Sequence, residues 1–173
     1  MDEEPMTGNT VWTVGHGTRG IEDFVAILHD AGVDLVVDVR RFPGSRRSPQ
    51  FARDALADAL AASGIEYLWL GEELGGRRRG SGGPSRWRNA AFAAYEEYMA
   101  SDAFRAGLAR VEAAAISGRR AVLLCAETVW WRCHRRLIAD ALVRDGFAVV
   151  HLLGEGRSQP HPATERAAPN LSR

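Results

Sequence analysis

Apolar and polar residues along this chain change period several times. VWTVGH at 11–16 is apolar enough for a buried strand; in the following GIEDFVAILHDAG, Phe24, Ile27 and Leu28 share one helical face before Gly32 stops the helix. DLVVDVR at 34–40 reads as a second strand, RDALADALAASG from Arg53 as a helix carrying Leu56 and Leu60 to Gly64, and IEYLWLG at 65–71 as a third strand. From Ala90 a helical pattern runs to Gly118, with a restart predicted at Ser101-Asp102, a pair suited to capping. AVLLCAE predicts a fourth strand, RCHRRLIADALVRDG a helix ending at Gly146, and AVVHLL a fifth strand. Alternation of this kind predicts an α/β fold: one domain whose mostly parallel sheet of about five strands has helices on both faces.

Other stretches lack periodicity. Residues 72–89 hold five glycines and five arginines and predict a mobile loop within a domain spanning 11–154. Residues 1–10 are read as a disordered N-terminus and 155–173 as a flexible tail. No internal repeat is visible.

Composition narrows the function classes. A length of 173 residues with 46% hydrophobic content suits a single core. No apolar run is long enough for a membrane span, and the acidic, polar start is unlike a secretory signal, so a cytoplasmic protein without membrane contact is expected. Net charge is zero, against a generally basic nucleic-acid coat, yet all 22 cations are Arg, clustered at 40–53 and 77–88. Two cysteines are too few for a disulfide scaffold.

The candidate chemistry follows from the sheet. Ligands of such folds bind beyond the carboxyl ends of strands, where the sequence sets His16, Asp38, Arg40, Glu72, Glu73, Cys125, Glu127, His151 and Glu155. The segment from Cys125 to Arg136 adds Trp130, Arg132, Cys133, His134 and Arg135 on one loop and helix start. Cations are disfavoured at a helix N-terminus, so a negative group is expected there: a substrate phosphate or carboxylate, or Glu127 and Asp38 of the chain itself. Cys125 is the expected nucleophile or redox thiol, with Cys133 as second thiol and with Glu127 and His134 handling protons. Glu127 as a simple ion-pair partner of Arg135 is the structural alternative. Asp38 and Arg40 lie on one side of a strand, either as a buried pair or with Arg40 on an anion, and Ser45 and Arg46 follow in a turn suited to phosphate.

VGHGT, DLVVDVRRFPGSRRSPQF, GIEYLWLGEELGG and LLCAETVWWRCHRRLIADAL together resemble the bacterial domain-of-unknown-function 488 family across about residues 11–154. Its pattern is a GHS-like turn, DVR with a following proline and SR, a QF pair, an LGxxLGG turn, and a cysteine, glutamate, spacer and CHR arrangement. Here Gly17-Thr18 follows His16 where the family often has serine. The resemblance implies the fold but no activity. VVDVR, and the strand ending in Cys125 with the loop and helix after it, are more loosely similar to rhodanese domains, which implies an anion-cradling loop beside a reactive Cys125.

The functional expectation is an enzyme acting on an anionic, phosphate-bearing nucleotide or nucleic acid. The alternatives are a nucleic-acid-binding module, in which Trp130 and Trp131 beside Arg132, and Trp87 between Arg86 and Arg88, stack on bases, and a rhodanese-like sulfur-transfer or thiol-redox protein. No cofactor is expected; zinc or iron on Cys125, Cys133, His134 and His16 is the weaker alternative, because CxxxxxxxCH lacks the close CxxC spacing of a structural zinc site. Oligomeric state is left open.

Overall fold

The structure, a computed structural model, describes residues 9–44 and 46–163. Its elements run β1 (Thr10–Gly15), α1 (Ile21–Asp30), β2 (Leu35–Asp38), α2 (Arg53–Ala62), β3 (Glu66–Trp69), a single turn α3 (Gly71–Leu74), α4 (Ala90–Tyr98), α5 (Asp102–Ile116), β4 (Ala121–Cys125), α6 (Arg135–Arg144), β5 (Ala148–Gly154) and β6 (Arg157–Pro160). Short 3-10 turns cover Pro49–Phe51 and Trp130–Arg132. The strands form one sheet in the order β3-β2-β4-β1-β5-β6, parallel except for the antiparallel β5–β6 pair.

Alternation along the strands divides the core between the two faces of the sheet. Val36, Val122 and Leu124 turn to one face and meet Phe24, Ile27 and Leu28 of α1 and Leu56 and Leu60 of α2. Val37, Val39 and Leu123 turn to the other and meet Tyr95 of α4, Val111 of α5 and Leu137 of α6. The helix restart occurs where the Ser101-Asp102 pair predicts it, with the Ser101 hydroxyl accepting the Phe104 N–H at 3.2 Å.

Two expectations need correction. The segment read as a tail from residue 155 supplies a sixth strand, β6, because Gln159 accepts a hydrogen bond from the Trp130 indole and His161 reaches Asp140 on α6. A polar strand at a sheet edge has no apolar signature to read. The glycine-rich stretch from 72 to 89 begins with α3 and is tied down by Ser81 on Glu97, Arg86 on Glu96 and Arg78 across the Tyr98 ring. The expectations for 1–8 and for 164–173 lie outside the described residues.

Strand order decides where chemistry collects. Helical crossovers carry the chain outward from β1 to β2 and β3, then back to insert β4 between β2 and β1. The carboxyl ends of β2, β4 and β1 therefore stand side by side, and the crevice outside them is where α/β sheets bind ligands. No helix among the described residues is long and apolar enough to cross a membrane.

Candidate functional site

A cavity of about 580 Å³ opens over these three strand ends, within the range of small-molecule sites. His16 follows β1, Arg40 follows β2 and Cys125 ends β4; Arg132, Cys133 and His134 come from the approach to α6, and Tyr95 reaches in from α4. The loop after Cys125 can pack this closely only because residue 15 is glycine. A Cβ there would collide with the Glu127 carbonyl.

On the β2 side, Asp38 is fully buried and grips Arg40 in a fork, with Nε to Oδ1 and Nη2 to Oδ2 both at 2.8 Å. The Arg40 backbone N–H and the Tyr67 hydroxyl donate to the same carboxylate. Burial opposes the charge on Arg40, but Asp38 outweighs it and the guanidinium is held protonated more firmly than usual. Arg40 Nη1 then lies 3.3 Å from His16 Nε2, while His16 Nδ1 lies 2.8 Å from the Gly17 carbonyl. That pattern fixes His16 as the neutral tautomer with its proton on Nδ1. Burial first, and then the Arg40 charge, lower its pKa. Phe51 stacks on the imidazole at 4.3 Å, so the Gln50-Phe51 pair supports the site from behind.

The thiols occupy the pocket floor, with Cys125 2% and Cys133 7% exposed. Their sulfurs are 2.8 Å apart and both thiols are free. Cys133 is extended, with φ −125° and ψ 155°, which turns its side chain back over the start of α6. Its sulfur receives the Arg135 backbone N–H at 3.4 Å and faces His134 Nδ1 at 3.6 Å. His134 Nε2 donates to the Val39 carbonyl at 3.0 Å, which leaves Nδ1 free to exchange a proton with that sulfur. Contact with the Cys125 sulfur, then His134 and Arg135, hold the Cys133 thiol well below the usual range, against the opposing effect of burial. Cys125 is pushed the other way, chiefly by burial and by its bond to Cys133.

The group of the chain itself that meets the α6 N-terminus is the Cys133 sulfur. Neither proposed carboxylate fills that place: Asp38 holds Arg40, and Glu127 turns Oε1 to the Val129 N–H in its own loop. The first turn of α6 carries no acid at all. A thiolate there meets the helix dipole and the backbone donor together.

Arg135 lies beneath the floor and is 1% exposed. Among the described residues it makes no ion pair, and its Nε has no partner. Its Nη2 donates to the Glu127 carbonyl at 2.5 Å, which replaces the Arg135–Glu127 ion pair offered by the sequence. Its Nη1 donates to Thr13 Oγ1 at 2.9 Å. From there a chain of contacts leads through His151 Nδ1 (2.6 Å), His151 Nε2 to His161 Nδ1 (2.9 Å), and His161 Nε2 to Asp140 (2.7 Å). One direction of donation satisfies every atom: Arg135 to Thr13, Thr13 to His151, His151 to His161, His161 to the carboxylate. The chain joins a buried cation to an anion of the same helix, α6, by way of β1, β5 and His161.

That chain has a pH signature. Burial, then the charges of His161 and Arg135, push His151 down to about 3. The unfolded chain takes up this proton below about pH 6.5, whereas the folded chain refuses it until about pH 3. The His151 contribution to stability is therefore complete above about pH 6.5 and is lost as acid is added down to about pH 3. A His151→Phe variant, which keeps a ring against Trp130, should be less stable at neutral pH but show a shallower loss across that window in urea titrations.

Trp130 does not offer the base-stacking face expected of it. It is 7% exposed and stacks on His151 at 4.2 Å with nearly parallel rings. Arg46 is exposed and does not line the cavity, and Ser45 lies outside the described residues. Arg41, Phe42 and Arg77 line the mouth instead, with Arg41 Nη1 donating to the Arg77 carbonyl at 2.8 Å. Arg41 was legible as a neighbour of Arg40; Thr13 and Tyr67 carry no signal beyond ordinary strand composition. Among the described residues, no acid pairs with Arg41, Arg77 or Arg132, and these three guanidiniums outnumber Glu127, the one carboxylate lining the cavity.

With respect to metal, no group of three or more His, Cys, Asp or Glu among the described residues could hold an ion. His16 spends both ring nitrogens on Gly17 and Arg40. The loop after Cys125 also differs from the cradle that the rhodanese likeness implies, since the Glu127 carbonyl, a hydrogen-bond acceptor, stands 3.5 Å from the Cys125 sulfur.

A family model described as domain of unknown function DUF488 matches residues 20–142. The chain belongs to the DUF488 family. No curated protein and no solved structure matches it. The DUF488 span holds Asp38, Arg40, both cysteines, His134 and Arg135, and stops short of His151 and His161. The DUF488 name assigns no chemistry, so function has to be argued from the site.

Proposed function

We propose that this DUF488 protein is an enzyme whose nucleophile is the Cys133 thiolate and whose substrate is a small molecule bearing phosphate or another anionic group. The carrying observation is the setting of the Cys133 sulfur: at the start of α6, against the Arg135 N–H and His134, on the floor of a cavity whose mouth is lined by unpaired arginines. Thiolate is the reactive form of cysteine, and a helix N-terminus with adjacent donors is the kind of setting that makes it abundant near neutrality. Arg132, Arg41 and Arg77 attract and hold the anion, Arg40 and His16 form the inner wall, and His134 passes a proton to the leaving group. Cys125 takes the supporting place, with its sulfur 2.8 Å from the nucleophile. Of the aromatic faces behind the nucleic-acid alternative, Trp130 is packed against His151 and only Trp131, at 49%, is well exposed. A reducing compartment such as the cytosol, where both thiols stay free, fits this chemistry.

Alkylation with reagents of different charge tests the reading. Iodoacetate should modify Cys133 faster than neutral iodoacetamide does, reversing their usual order, and inorganic phosphate should slow it. Replacing Arg132 with Ala should reduce the preference for iodoacetate. Equal or slower reaction with the anionic reagent would remove the anion-binding claim.

A further inference from the structure

We propose that Cys125 and Cys133 form a thiol–disulfide couple: Cys133 attacks an anionic low-molecular-weight disulfide, and Cys125 frees the product by closing an internal disulfide. This rests on the reading of Cys133 as nucleophile and goes beyond it by naming the reaction and the substrate class.

The two sulfurs belong to different elements, the end of β4 and the start of α6, yet meet at 2.8 Å on the cavity floor. A disulfide needs about 2.05 Å, a closure within reach of side-chain rotation. Both backbones are anchored: the Cys125 carbonyl accepts the His16 N–H at 2.9 Å, and the Cys133 N–H donates to the Trp130 carbonyl. The surroundings of the two thiols are unlike. Both belong to one apolar cluster, but donors converge on Cys133, while Cys125 faces a carbonyl. Unequal thiols suit sequential roles, one attacking and one resolving.

The same contact separates electrophile classes. If Cys133 attacked phosphorus or a carbonyl carbon, the product would be released by water, and a thiol in contact with the nucleophile would have no step to perform. With a sulfur electrophile the neighbouring thiol has a defined step. The Cys133 thiolate forms a bond to one sulfur of R–S–S–R′ and expels R′S⁻. Cys125 gives up its proton and attacks the Cys133 sulfur, expelling RS⁻, which takes up a proton as it leaves. The enzyme loses two electrons and becomes the internal disulfide; the substrate gains them and leaves as two thiols. A dithiol reductant restores the starting state. A cavity of about 580 Å³ with aromatic walls and a cationic mouth suits an organic disulfide carrying carboxylates or phosphates.

The test uses the reduced full chain with glutathione disulfide, an anionic probe, and with cystamine, a cationic one, followed by intact mass and peptide mapping. The expected course is a transient glutathione adduct on Cys133, then an internal Cys125–Cys133 disulfide with both halves of the probe released, faster than with cystamine. Cys125→Ser should stop at the adduct, and Cys133→Ser should form none on Cys125. A wild-type chain that keeps the adduct and leaves Cys125 free overturns the couple while leaving the nucleophile in place, as does iodoacetate labelling of Cys133 without any reaction with the disulfide. Failure of Cys133 to react with either reagent overturns the nucleophile reading itself. Cystamine reacting as fast as glutathione disulfide overturns the anionic substrate class. Should Cys125→Ser fail to fold, the wild-type time course alone decides, since an adduct must precede the internal disulfide.

Discussion

Asp38→Ala is expected to destabilise the protein by about 3–5 kcal/mol, the cost of leaving a buried charge without its partner. Asp38 is fully buried and accepts from both arms of the Arg40 fork, from the Arg40 backbone and from Tyr67; the carboxylate is the hub of that end of the sheet. Without it, Arg40, at 8% exposure, has only His16 and the cavity to turn to. The double variant Asp38→Ala, Arg40→Met should recover part of the loss, because it removes the stranded charge along with its partner. Urea titration of the two single variants and the double variant measures the coupling. Additive losses would mean that the pair is not the unit described here.

Arg135→Met should act on reactivity more than on any other property. The Met side chain can fill much of the buried volume but brings no charge and no donors to Thr13, Glu127 and Thr128. Arg135 is one of the groups that hold the Cys133 thiol down, after Cys125 and His134. Its removal should raise the apparent Cys133 pKa, and each unit of rise lowers the thiolate population by about tenfold wherever the pH lies below the original value. Iodoacetamide rates measured from pH 5 to 10 would show the inflection move upward. Cys125→Ala should move it in the same direction, because the Cys125 S–H is the largest single support of the thiolate. His134→Gln should do so less. An unchanged profile in both Arg135→Met and Cys125→Ala would mean that the thiolate is set by something other than these contacts.

Much of the fold was legible because its signals are periodic. Strands β1 to β5 and the helices packed on them are marked by Val, Leu and Ile runs or by i, i+3, i+4 patterns, and glycines such as Gly32 and Gly146 stop the helices. β6 escaped because its hold is polar: Gln159 on Trp130, and His161 on His151 and Asp140. Strand-end logic brought His16, Arg40, Cys125, Cys133 and His134 to one cavity, as the rule for parallel sheets implies. The unlike surroundings of the two thiols were not legible. They depend on Cys133 preceding α6 in an extended conformation, so that adjacent Cys133 and His134 converge, where a helical backbone would turn them apart. Trp130 shows the same limit. Its neighbours Trp131 and Arg132 suggest a platform for bases, but its partner is His151, more than twenty residues away and silent in local sequence.

The most direct test of the central claim is to label the reduced protein with substoichiometric iodoacetamide at a series of pH values and to map the modified cysteine. The account predicts that Cys133 takes the label first, at a rate that stays high through neutral pH and falls only in acid, while Cys125 remains protected until alkali. Labelling of Cys125 ahead of Cys133, or both thiols titrating near the ordinary value of about 8.5, would contradict it.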